Sequence, residues 1–192
     1  MKITFNSPVI LSFSLLCAGV YLLNHQLGLF NEYFVLVPEW NFSSGSWYFR
    51  LFSNALGHVN SDHLIGNLAF ILLLGPIIEE KYGSKNTLIM LFTTALICSV
   101  IHLLFSKYML LGASGIVFML ILLTSLVNFR SKEIPLTFIL IVIVYIGKEV
   151  MGATTDDNIS HSTHIVGGVV GAVFGFMLNK GGKLSSSTSK SK

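Results

Sequence analysis

The sequence predicts an all-α membrane protein, a bundle of six transmembrane helices with both termini on the cytoplasmic side. Three observations predict it. First, 53% of the 192 residues are hydrophobic and only 11% are charged, whereas a soluble domain carries roughly 25% charged residues, so most of the surface cannot face water. Second, the charges cluster and leave charge-free runs at 3–31, 63–78, 86–106, 108–129, 134–147 and 158–179. Third, Lys and Arg are unevenly shared among the segments that join those runs.

A helix that crosses the hydrocarbon needs about 20 mostly apolar residues. The run at 3–31 exceeds one span and takes in the start of a loop, while those at 63–78 and 134–147 extend because end residues can snorkel or sit in the interface. The predicted helices are therefore 8–24, 61–80, 87–106, 113–129, 134–151 and 160–179. The first is read as a retained helix: no small-x-small cleavage site follows it, and bulky Leu16 precedes Cys17 where lipoprotein cleavage wants a small residue. His25 falls in the loop beyond it. Residues 1–180 then form one transmembrane domain, and 181–192 (GGKLSSSTSKSK) form a flexible polar cytoplasmic tail.

Orientation follows from the cations. With the N-terminus inside, the inner segments hold Lys2, Lys81, Lys85, Arg130, Lys132, Lys180, Lys183, Lys190 and Lys192, and the outer ones only Arg50, Lys107 and Lys148. The basic balance is this membrane pattern and not a nucleic-acid footprint. Cys17 and Cys98 both fall in spans, so no disulfide framework is indicated.

Polar side chains inside a span are costly and are functional candidates by default. His63 and Asn67 lie four apart on one face of the second helix, with His58 just before it. The fourth opens with Gly112, Ala113, Ser114 and Gly115, and the sixth with His161, Ser162, Thr163 and His164. These three helices all run from outside to inside, so His63, Asn67, Ser114 and His164 share one outer depth. Gly167, Gly171 and Gly175 form a small-xxx-small stripe after His164, along which another helix can approach closely.

This set suits acyl transfer. Serine is a weak nucleophile until a base takes its proton, and histidine is the usual base. Ser114 and His164 are the pair; Asp156 and Asp157, in the preceding loop, are not placed to orient the imidazole, so a dyad is the simpler assignment. The developing oxyanion needs donors. His63, Asn67 and the backbone N–H of Ser114, at a helix N-terminus, can supply them. The glycines at 112 and 115 let backbone and substrate approach closely.

The pattern resembles the rhomboid family of intramembrane serine proteases. The family's G-x-S-G is Gly112-Ala113-Ser114-Gly115 here; its H-x-x-x-x-H-x-x-x-N is His58, His63 and Asn67; its His with a glycine stripe is His164 with Gly167 and Gly171. Arg50 matches the Arg of the Trp-Arg motif in the first loop, and Gly75, Glu79 and Gly83-Ser84 match the end of the second helix and its turn. The resemblance runs from Trp47 to Gly175 in order and spacing. It departs at Phe49, where the family has Trp, and at Phe118, where the family often has a Tyr that stacks on the base; the stacking surface remains and the hydroxyl is lost.

The resemblance implies a compact six-helix rhomboid-like fold in a bacterial plasma membrane. It implies a Ser114–His164 dyad with His63, Asn67 and Ser114 stabilising the oxyanion, no cofactor or metal, and membrane-spanning proteins as substrates. Arg50 and Trp47 read as interfacial anchors that shape the first loop, His102 and His161 as structural or interfacial. The alternatives are a catalytically silent rhomboid-like binding protein, a metalloprotease, which would want a compact ligand set such as His-Glu-x-x-His, and a transporter, which would favour internal repeats.

Overall fold

The computed structural model describes residues 4–28, 31–127, 133–147 and 161–180, and the fold is all-helical. The elements are α1 (Pro8–Leu27), α2 (Gly45–Ser53), α3 (Ser61–Tyr82), α4 (Ser84–Phe105), α5 (Ser114–Ser125), α6 (Leu136–Ile141, continuing into a π-turn at Val142–Ile146) and α7 (His161–Lys180). Among the described residues, α1, α3, α4 and α7 are long and apolar enough to cross a membrane, and α5 and α6 are shorter apolar helices. The expected tail at 181–192, and Asp156 and Asp157, lie outside the described residues.

The helix ends follow local chemistry. Pro8 starts α1, where its missing N–H costs nothing, and Gly28 ends it in the left-handed region at φ 63°. The helix thus runs past the expected residue 24 and takes in His25, which stacks on Tyr21 with centroids 5.9 Å apart. His25 is therefore not a loop residue. The Asn60 side chain caps α3 by accepting from the His63 N–H at 2.8 Å. The turn from α3 to α4 is made at Gly83, φ 80°.

The first loop is more ordered than its composition suggests. It holds α2, an amphipathic helix that buries Trp47 and Leu51. Trp47 is thus a core residue and not only an interfacial anchor: its Nε1–H donates to the Glu39 carbonyl at 2.7 Å, and Trp40, Phe42 and Tyr48 surround its ring. The loop is tied to the α4–α5 connection by a bridge between Leu36 and Leu110, with two hydrogen bonds of 2.9 Å. Inside the fold, Asn54 Nδ2 donates to Ser99 Oγ on α4 at 2.8 Å, and Ser99 Oγ donates to the Leu51 carbonyl at 2.8 Å.

At the opposite end, Glu79 joins three helices. Its carboxyl oxygens accept the N–H groups of Val9 and Ile10 in the first turn of α1, both at 3.0 Å, and the Ser84 hydroxyl at 2.7 Å. Ser7 makes no side-chain cap to α1, so Glu79 satisfies two donors that the helix start leaves open. A Cβ on nearby Gly75 would meet Ile10 side-chain atoms at 2.6–2.8 Å, so α1 and α3 pack almost backbone to side chain.

The core is built around α5. All residues from Gly115 to Leu123 are buried, and a helix apolar on every side belongs at the centre of a bundle. Its 12 residues extend only about 18 Å at 1.5 Å per residue, well short of a hydrocarbon layer of about 30 Å.

Candidate active site

The closest backbone approach to α5 comes from α7. A Cβ on Gly167 would fall on the Gly115 carbonyl, one on Gly171 would fall on the Met119 carbonyl, and one on Gly175 would meet the Leu126 side chain at 2.7 Å. Contacts advance together along both helices, so α5 and α7 run in the same direction. The stripe of glycines predicted from sequence is the α7 half of this contact. Only glycine fits there, because any side chain would separate the helices.

This packing brings the N-terminal turns of α5 and α7 together. Ser114 is the first residue of α5, and His164 sits in the first turn of α7, three residues before Gly167. The His164 imidazole lies flat on the Phe118 ring, centroids 4.5 Å apart and planes 8° from parallel. Phe118 is one turn after Ser114 on the same face, and its ring also meets Tyr145 of α6 edge-on at 6.1 Å. Thr163 is held as well: its carbonyl accepts from the Cys98 thiol of α4 at 3.6 Å.

The approach to Ser114 is shaped by Gly112. Its φ of 120° is a conformation that side chains rarely tolerate, and its N–H donates to the Asn54 carbonyl at 2.9 Å. A Cβ at Gly112 would lie 2.5 Å from Cε1 and 2.7 Å from Nε2 of His63. The tip of the His63 ring therefore rests against the backbone two residues before Ser114, which brings α3 into the site.

Asn67 follows one turn after His63 and is buried. Its Nδ2 lies 3.1 Å from His58 Nε2, and His58 Nδ1 lies 3.1 Å from the Leu56 carbonyl. The His58 and His63 rings meet edge to face at 5.1 Å. Burial pushes the His58 pKa down to about 4, with the nearby His63 charge adding to the effect. Ser114, His63 and His164 are each half-buried, whereas His58 and Asn67 are buried.

All four predicted site residues thus lie in or beside one cluster at one end of α3, α5 and α7. His161 sits edge-on to His164 at 6.4 Å. His102 is buried, its Nε2 2.8 Å from the Tyr108 carbonyl in the α4–α5 turn. Sequence reasoning missed Asn54, Ser99 and Tyr145. The first two are single polar residues whose pairing depends on how the first loop folds back, and Tyr145 gives no signal beyond an aromatic in an apolar helix.

The arrangement defines a class: a multi-pass helical membrane protein with a serine and a histidine at the adjoining ends of two inner helices. Within that class the chain belongs to the rhomboid family, since residues 45–181 match the Rhomboid domain. It is 25% identical over 170 residues to the rhomboid protease GlpG of Haemophilus influenzae, a match covering 86% of this chain and 88% of that protein. It is 30% identical over 137 residues to the rhomboid protease GluP of Bacillus subtilis, covering 69% of this chain but only 26% of that protein.

Proposed function

We propose that the chain is an intramembrane serine endopeptidase that cuts membrane-spanning proteins in or near their transmembrane segments. The observation that carries this reading is the glycine-lined contact of α5 with α7, which sets His164 on Phe118 beside the helix start that bears Ser114. In the reading, His164 takes the Ser114 hydroxyl proton as Oγ attacks the scissile carbonyl carbon. The oxyanion is met by His63, Asn67 and the Ser114 N–H, which the helix start leaves without an intrahelical partner. His164 then returns the proton to the leaving amine, and water hydrolyses the Ser114 ester by the same route in reverse.

Both termini face the cytoplasm in this reading, so the cluster lies in the outer half of the membrane. The short α5 supports the placement, because a helix of about 18 Å rising from the inner face ends below the outer surface. A peptide bond reaching Ser114 must leave its own helix. Substrates are therefore single-span proteins with a weak helix near the outer interface and small residues at the cut.

The test is cleavage of a single-span substrate by the full chain in vesicles, with chelator present, for wild type and Ser114→Ala. The protease reading predicts chelator-insensitive cleavage that disappears in the variant. Cleavage that survives Ser114→Ala, or that chelator abolishes, contradicts it. Tight substrate binding without cleavage by wild type would favour the silent rhomboid-like binding protein.

A further inference from the structure

The hydrogen bonds of His58 constrain more than His58. The ring is buried, in the segment that leads into α3. Its Nδ1 faces the Leu56 carbonyl at 3.1 Å, and a carbonyl can only accept, so Nδ1 carries the hydrogen. In the neutral ring Nε2 is then an acceptor. The group 3.1 Å from Nε2 must be a donor, which places the Asn67 amide nitrogen there and its oxygen on the far side.

We infer that His58 is a positioning residue: its tautomer fixes which way the Asn67 amide faces, and so whether Asn67 offers an N–H to the reacting carbonyl. The inference rests on the protease reading above and adds a role for a residue outside the dyad and outside the oxyanion set. The His58 contact is the one side-chain hydrogen bond that the described residues give Asn67. One amide N–H is spent on His58 and the second remains for the oxyanion. Turned over, the same amide would present its oxygen to a developing negative charge, which repels instead of stabilising. A doubly protonated His58 would force that turn, because Nε2–H needs an acceptor. Burial and the facing His63 ring both oppose protonation.

The roles predict epistasis. In the full chain reconstituted in vesicles, His58→Ala lowers kcat about 10- to 100-fold with KM little changed, below the limit set by losing an oxyanion donor. In an Asn67→Ala background the same substitution has no further effect, since there is no amide left to orient. His58→Gln, which keeps an acceptor, recovers part of the loss. A double variant whose loss is the product of the two single losses overturns the inference, as does a His58→Ala change confined to KM. ¹⁵N NMR of histidine-labelled protein tests it without any turnover: the expected result is an Nδ1–H tautomer for His58 whose Nε2 shift moves in Asn67→Ala. An Nε2–H tautomer overturns the inference even where the protease reading stands, and an Nδ1–H tautomer stands even where no cleavage is found.

Discussion

The imidazole of His164 rests face to face on the ring of Phe118, 4.5 Å away and 8° from parallel. Phe118 follows Ser114 by one helical turn, so a residue on α5 sets the plane of the His164 ring on α7, the base in the proposed mechanism. The contact needs only an aromatic face. Phe118→Leu should lower kcat about 3- to 10-fold with KM nearly unchanged, in line with the roughly 0.5–1.5 kcal/mol of an aromatic pair. Phe118→Tyr should stay near wild type. Steady-state cleavage of a model substrate reads both, and a wild-type kcat for the Leu variant would show that the stack does not orient the base.

The glycine contact makes a sharper claim. A methyl at 167 falls on the Gly115 carbonyl and one at 171 falls on the Met119 carbonyl, so either alanine must push α7 from α5. Each should cost about 1–3 kcal/mol of stability, the usual range for overpacking. Gly167→Ala should also abolish most activity, because the shift occurs beside Ser114. Thermal unfolding in detergent measures the first effect and substrate cleavage the second. A Gly167→Ala protein as stable and active as wild type would refute the close contact.

Glu79 anchors the other end of the bundle. Removing its carboxyl leaves the N–H groups of Val9 and Ile10 and the Ser84 hydroxyl without their buried partner. Glu79→Ala should destabilise by about 1–3 kcal/mol, and Glu79→Gln by less, since one acceptor oxygen survives. The thermal midpoint should order wild type, Gln, Ala from highest to lowest. Equal midpoints would show that water replaces the carboxyl at no cost.

The oxyanion assignment predicts an effect on kcat. His63→Ala and Asn67→Ala should each lower kcat by roughly 10²–10³, with KM little changed, because donors aimed at developing charge act in the transition state. The His63 ring also supports Gly112, so its variant should fall further. Stability is measured alongside. A folded His63→Ala protein with wild-type kcat would make His63 a packing residue.

Much of this was legible in the sequence because apolar spans make polar residues conspicuous. His63, Asn67, Ser114 and His164 stood out against charge-free runs, and the glycine stripe announced a contact before its partner was known. What was not legible has physical causes. α2 lies within an aromatic-rich segment, and its 9 residues are too few to span a membrane and leave a charge-free run. His25 belongs to α1 because Gly28, not the polar residue, ends the helix. The central position of α5 could not be read from periodicity, since a helix buried on all sides has no polar face to mark. His58 lies outside a helix, where spacing fixes no direction, so its pairing with Asn67 is set by how that segment folds back on α3.

The central claim is that Ser114 is a nucleophile activated by His164. Mass-spectrometric mapping of a fluorophosphonate adduct on the full chain, in wild type and in His164→Ala, tests it most directly. The account predicts an adduct on Ser114 in wild type and a sharp fall in its yield in the variant. An adduct on another serine, or equal labelling of Ser114 in both proteins, would contradict it.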